Sequence, residues 1–295
     1  MTSAGNDAKP NHMGRRELLA AASILPIVVT VASSVRSAQG ASPCPSSSTL
    51  DQVKKRGKIV VGINPAQAPY GLLGNNGQWT GFDPHLARET ANRLGVKLEI
   101  TQVTPSSRIP LLFAGKVDAL MAGMAVTRRR MLQIDFSIPY ITVDEKLLVK
   151  QGSGISGPVD LAGRTVAVVA GSSTEVALQK AQPKAKLLRY QELPDGFLAL
   201  KRGLADAFAS DVMIITKLAA TDTQQKYEIV GPDLDVIPIA VGVRPIDSRW
   251  RDTMTFTLLD MQKDGTYAKL FDEYFGKNSQ FHLPVPALDL QGMPD

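Results

Sequence analysis

The strongest constraint on this chain is a device that it uses twice. Residues 111–123 read LLFAGKVDALMAG, and residues 199–211 read ALKRGLADAFASD. Each copy ends an apolar helical pattern at a glycine (Gly115, Gly203), places an Asp-Ala pair three residues on, and continues as an apolar strand. Glycine suits the left-handed residue just past a helix end. The duplication predicts two similar α/β halves, although one large sheet could carry both copies.

The flanking sequence alternates in the same way. In the first half, 58–64 (KIVVGIN) reads as a strand and 75–81 (NNGQWTG) as turn chemistry. Residues 83–95 read as a helix, with Asp83 as cap, Pro84 at the first position and Gly95 as stop. Residues 96–103 read as a strand, 107–115 as a short helix and 116–124 as another strand. The second half starts near residue 163. Strands are expected at 164–171, 185–190 and 204–211, and helices at 172–182, 193–203 and 211–220. Such alternation argues for parallel sheets covered by helices.

Two β-rich stretches, 140–150 (YITVDEKLLVK) and 234–244 (LDVIPIAVGVR), separate the halves, and helical patterns at 247–265 and 265–276 close the chain. If those last helices return to the first half, the chain crosses between lobes twice. The crossing strands would then form a hinge beside a cleft at the strand ends of both sheets, where open α/β sheets bind ligands.

Residues 1–40 belong to a different category. Arg15 and Arg16 precede an apolar run at 20–35 and small residues at 36–42, the pattern of an export signal of twin-arginine type. The expectation is a periplasmic protein. With one cysteine, Cys44, no internal disulfide can form. The formal charge of +5 comes from 33 basic against 28 acidic residues, interspersed rather than clustered, which argues against nucleic-acid binding.

One stretch asks for a ligand. In GMAVTRRRM (123–131), Thr127 would cap a helix whose first turn is Arg128, Arg129 and Arg130. An exposed cation there costs roughly 0.3–1 kcal/mol against the helix dipole. A bound carboxylate reverses the sign, because backbone N–H groups and a guanidinium fork together make an anion site. Consecutive helical residues point about 100° apart, so one of the three would face a cleft. A solvated arginine cluster is the alternative. His12, His85 and His282 are too scattered to suggest a metal cluster, and neither a P-loop nor a nucleophile elbow is present.

From about residue 50 to 276 the chain resembles the periplasmic solute-binding proteins of polar amino-acid ABC importers, bacterial extracellular solute-binding protein family 3. The resemblance runs through VGINPAQAPYG, GFDPHLARETANRLGVKLEI, RIPLLFAGKVDALMAGMAVTRRRMLQIDFSIPY, DLAGRTVAVVAGSSTEVAL, GLADAFASD and LLDMQKDGTYAKLFDEYFG, in one order. It implies an α/β, two-lobed, type II periplasmic-binding-protein fold. Lobe 1 would comprise 50–142 plus 238–276 and lobe 2 would comprise 143–237, with a tail at 277–295.

It implies further that Arg130 grips the ligand's α-carboxylate, that the GSSTE turn with Ser172, Ser173 and Thr174 assists, and that Asp211 holds the α-ammonium. Arg128 and Arg129 stand where the family has proline and glutamate, and are expected to face solvent. Gly123 and Ala125 replace residues that often carry hydroxyls, leaving their backbone groups to serve. Asn64, Gln67 and Pro105 lack the acid and aromatics of receptors for basic amino acids. Arg108 matches the arginine that meets an acidic side chain, so glutamate or aspartate is the expected ligand, with Tyr70 lining the cleft. The expected partner is an ABC permease, the expected state a monomer, and neither cofactor nor catalysis is expected. The rival class is a dehydratase on the same fold, acting on cyclic carboxylic acids such as prephenate or arogenate. Glu175 and Asp211 are the cleft carboxylates that the sequence offers it.

Overall fold

The computed structural model describes residues 47–289, so the export-signal segment, His12 and Cys44 lie outside the described residues. Helix α1 (Thr49–Arg56) is capped by the Ser48 hydroxyl and leads into β1 (Lys58–Ile63). Three short strands, β2 (Ala66–Gln67), β3 (Gly71–Leu73) and β4 (Trp79–Thr80), form a small antiparallel sheet. Then come α2 (Phe82–Leu94), β5 (Lys97–Gln102), α3 (Arg108–Phe113), β6 (Ala119–Leu120) and the single turn α4 (Arg128–Met131). A long strand β7 (Asp135–Lys150) leads to β8 (Thr165–Val169), α5 (Ser173–Ala181), β9 (Lys186–Tyr190), α6 (Leu193–Lys201), β10 (Ala207–Asp211) and α7 (Val212–Ala220). A second long strand β11 (Tyr227–Val243) precedes α8 (Ser248–Lys263) and α9 (Thr266–Tyr274).

Eight strands share one hydrogen-bonded order, β5-β1-β6-β11-β7-β10-β8-β9. At one end β5, β1 and β6 are parallel, and at the other β10, β8 and β9 are parallel. The centre is the antiparallel pair β7–β11, 16 and 17 residues long. Two α/β halves and one large sheet are thus both present, since β7 and β11 belong to both ends. Their pairing slips in register between Val230 and Asp235 and again between Ile239 and Gly242, which bends the pair locally.

The repeated device has the same structural task in both halves. The Asp118 backbone N–H donates to Val60 O at 2.7 Å, while its carboxylate accepts from Val60 N at 2.8 Å. Asp206 does the same with Thr165, at 2.7 and 2.8 Å. Each aspartate pins the start of one strand to its parallel neighbour with a side-chain and a backbone bond. Gly115 and Gly203, at φ 67° and 74°, turn the chain out of the preceding helix.

Several expectations are corrected. Asp83 is not the cap of α2. The cap is Gly81, at φ 114°, where a Cβ would lie 2.4 Å from Tyr70 O, so only glycine fits. Asp83 instead turns inward and is fully buried. The strand expected over 116–124 pairs only at Ala119–Leu120, and the following residues run on as loop toward the centre of the sheet. Helix α1 and the small sheet had no periodic signal strong enough to predict them.

The closing helices pack on the first half. Trp250 donates its indole N–H to Asp118 O at 2.9 Å, and the Tyr267 hydroxyl bonds Tyr140 O. Phe82 is in ring contact with Tyr140, Tyr267, Tyr274 and Phe275, which fixes α9 against α2. Burial of several aromatic side chains, about 1.5–3 kcal/mol each, makes this the dominant local term.

Candidate functional site

The C-terminal ends of the strands from both halves converge on one cleft, and side chains meet across it. Tyr70 donates its hydroxyl to Asp211 Oδ2 at 2.7 Å, Arg130 donates Nη2–H to Gly171 O at 3.0 Å, and Ser106 donates to Gln191 at 3.0 Å. Between them lies a small cavity of about 40 Å³, lined among others by Gln67, Arg108, Glu145, Ser173, Thr174 and Asp211. A groove of about 650 Å³ adjoins it, sharing Pro105, Ser172 and Ser173, and its wall carries Arg128, Arg129, Arg130 and Lys180.

The arginine triplet resolves as the helical angle requires. Thr127 accepts the Arg130 backbone N–H at 3.2 Å, which closes a single turn. Arg128 and Arg129 are exposed, whereas Arg130 is 8% exposed. Its guanidinium donates Nη1–H to Ala125 O at 2.8 Å and Nη2–H to Gly171 O, both neutral acceptors. Arg108, 4% exposed, donates Nη1–H to Ala122 O at 2.8 Å and leaves Nε–H without a partner. Burial pulls both guanidinium groups below their ordinary range, Arg130 to about 10. Two buried cations whose hydrogen bonds, among the described residues, go to carbonyls are a costly arrangement that a bound carboxylate would relieve.

The opposite wall is acidic. Asp211 caps α7 through Met213 N at 2.7 Å and also lines the cavity, so capping does not take it out of the cleft. Burial raises it to about 6, against the opposing effect of the Tyr70 hydrogen bond. The sequence did not single out Glu145, which is 3% exposed on β7. Its Oε1 accepts from Ser173 at 2.5 Å and Thr174 at 2.9 Å, while Oε2 has no partner. Burial lifts it to about 7, opposed by those hydroxyls and helped by Asp211 and Asp235. A signal for it existed. From Thr142 to Leu147 burial alternates with period two, so Glu145 shares the inward face with Val143 and Leu147.

The remaining expected site residues divide. Ser172 spends its hydroxyl on capping α5 through Glu175 N at 3.1 Å. The Ser173 and Thr174 hydroxyls point to Glu145. Gly123 donates its N–H to Asp83 Oδ2 at 2.8 Å, and Ala125 gives its carbonyl to Arg130, so these backbone groups already have partners. Gly123 and Ala125 nonetheless line the cavity. Asn64 is buried and is not part of the cavity lining, accepting from Ala66 N at 2.8 Å and leaving Nδ2 without a partner among the described residues. Tyr70 is both a packed aromatic, 5.4 Å from the Phe275 ring, and the donor to Asp211. Glu175 is not a carboxylate of the inner cavity, because it holds Gly171 N at 2.9 Å and Arg189 at 2.6 Å. Asp211 and Glu145 are the pair there.

Residues 59–277 match the model of the bacterial extracellular solute-binding proteins, family 3. This chain belongs to that family. Its fold is the type II periplasmic binding protein fold. It is 29% identical over 262 residues to the ABC transporter glutamine-binding protein GlnH of Bacillus subtilis, covering 87% of this chain and 95% of the relative. It is 32% identical over 199 residues to the glutamine-binding protein of Geobacillus stearothermophilus, covering 66% and 75%. Among solved structures, a mutant of ArgBP from T. maritima aligns with a TM-score of 0.73 at 31% identity, covering 77% of this family member and 99% of ArgBP. An ancestral amino-acid-binding protein, a precursor of cyclohexadienyl dehydratase, aligns at 0.71 with 35% identity, covering 78% and 100%.

Proposed function

We propose that this protein is the extracytoplasmic receptor of an ABC importer for a polar amino acid, acting as a monomer and delivering its ligand to the importer's permease. The observation that carries the reading is Arg130, a buried guanidinium that among the described residues is hydrogen-bonded only to the neutral carbonyls Ala125 O and Gly171 O. In this reading the α-carboxylate joins Arg130 and the α-ammonium joins Asp211, which retains lone pairs beside its bonds to Tyr70 and Met213. The names of the glutamine-binding and arginine-binding relatives support the ligand class.

The cavity is far below the ~300 Å³ of an ordinary small-molecule site. Entry of an amino acid therefore requires the halves to part along β7 and β11 and to close again over it. Contacts made to both halves only in the closed form supply the differential affinity that shifts the population. Residues 50–142 with 238–276, and 143–237, are the bodies proposed to move.

A second reading, a dehydratase-like enzyme, is favoured by the place of Glu145: it is a buried carboxyl on the cavity wall, and burial lifts it to about 7, so it would offer a protonated acid there. A thermal-shift panel of the amino acids, followed by calorimetry, tests the receptor. At least one polar amino acid should raise the melting temperature by mass action, and a panel with no response rejects it. Turnover of prephenate or arogenate by the purified protein would establish the enzyme instead.

A further inference from the structure

Among the described residues, three side chains that line the cavity each carry a buried polar atom with no partner: Arg108 Nε, Gln67 Oε1 and Glu145 Oε2. Each of these side chains is at least nine-tenths buried. One of the atoms is a donor and two are acceptors. Buried polar atoms of native proteins are normally satisfied, so this set describes the complement of what enters.

We infer that Glu145, with Gln67 and Arg108, forms a side-chain subsite that selects a carboxamide amino acid, glutamine or asparagine, over the corresponding acid. The inference rests on the amino-acid-receptor reading and names the ligand within it. A carboxamide presents a C=O to Arg108 Nε–H and two N–H donors to Glu145 Oε2 and Gln67 Oε1. A carboxylate would satisfy Arg108 but leave Gln67 Oε1 unmet and, where Glu145 is ionised, would leave its Oε2 unmet and meet its repulsion as well. A guanidinium or ammonium would satisfy the acceptors but confront the buried Arg108. The acidic ligand expected from Arg108 alone is therefore opposed by a residue on the other wall.

The charged groups around Glu145 set how this selection depends on pH. Asp211 on β10 and Asp235 on β11 are its direct cross-strand partners and both disfavour its ionisation. From the first half, Arg130 lies close enough for Glu145 to stabilise its charge, and Arg108 lines the same cavity. From α5, Ser173 and Thr174 donate to Oε1. Discrimination against the acid should strengthen as Glu145 ionises, because repulsion is then added to the unmet hydrogen bonds.

The test is calorimetric titration of the full mature protein and of Glu145→Gln with glutamine, asparagine, glutamate, aspartate and arginine, on both sides of neutrality. The wild type should prefer an amide to its acid by about tenfold or more, with the margin widening as pH rises. Glu145→Gln should still bind the amide but gain affinity for the acid, narrowing the margin roughly tenfold and removing its pH dependence. The pH series on the wild type tests the idea without any variant. Binding of glutamate or arginine more tightly than either amide overturns the inference and leaves the receptor reading standing, as does an unchanged margin in the variant. Failure to bind any amino acid overturns both.

Discussion

Replacing Arg130 by methionine separates its part in the fold from the ligand contact proposed for it. In the structure its guanidinium makes two charge-assisted bonds, to Ala125 O within the first half and to Gly171 O across the cleft. Bonds of this kind contribute about 1.5–3 kcal/mol each. Against them stands burial, which holds the group down to about 10, a penalty on the order of 3 kcal/mol for a side chain only 8% exposed. The two effects largely cancel, so Arg130→Met should change the stability of the unliganded protein by no more than about 1–2 kcal/mol. The ligand has no such compensation. Losing a bidentate carboxylate contact removes two bonds of that strength, which is about 10²–10⁴-fold in Kd. Urea unfolding gives the first quantity and titration calorimetry with the best ligand of the amino-acid panel gives the second. Undiminished affinity in a folded variant would show that Arg130 does not hold the carboxylate, and the assignment of the whole cleft would go with it.

Tyr70→Phe removes one hydrogen bond between the halves and no packing volume. It should shift the unliganded equilibrium toward the open form by about 10–150-fold, from roughly 1.5–3 kcal/mol, seen as a larger radius of gyration in solution scattering; an unchanged radius would mean that this bond does not hold the halves together. Burial lifts Asp83 and Asp211 to about 6 and Glu145 to about 7, so the folded chain keeps protons that the unfolded chain has released. The stability they contribute is complete below about pH 4 and falls as pH rises through about 6 to 7; Asp83→Asn should flatten that fall in the urea midpoint, and an unaltered slope would contradict the assignment. Gly196 sits in α6, where a Cβ would lie 2.7 Å from Phe208 Cε2, so Gly196→Ala should destabilise by about 1–2 kcal/mol after the gain in helix propensity, read as a lowered unfolding midpoint, and a raised midpoint would show that Phe208 can move.

Much of this architecture is written locally. The Gly-x-x-Asp-Ala device announced two related halves because a helix stop and a strand start are properties of a few adjacent residues. The helical spacing of Arg128, Arg129 and Arg130 already required one of them to point apart from the others, and Arg130 does. The two-residue spacing of Val143, Glu145 and Leu147 likewise puts Glu145 on one strand face with two apolar side chains.

What local pattern could not decide is where spare bonding capacity ends up. Asp83 looked like a helix cap, yet the close approach of Tyr70 O to Gly81 moved the cap back and sent the carboxylate to Gly123 N and Tyr140. The Ser173 and Thr174 hydroxyls suited an incoming carboxylate until the register of β7 against β10 set Glu145 in front of them. Sequence determines which groups want a partner and the face on which each lies. Whether a group faces a neighbour or a cavity depends on strands far apart in the chain, and only their pairing across the sheet fixes that.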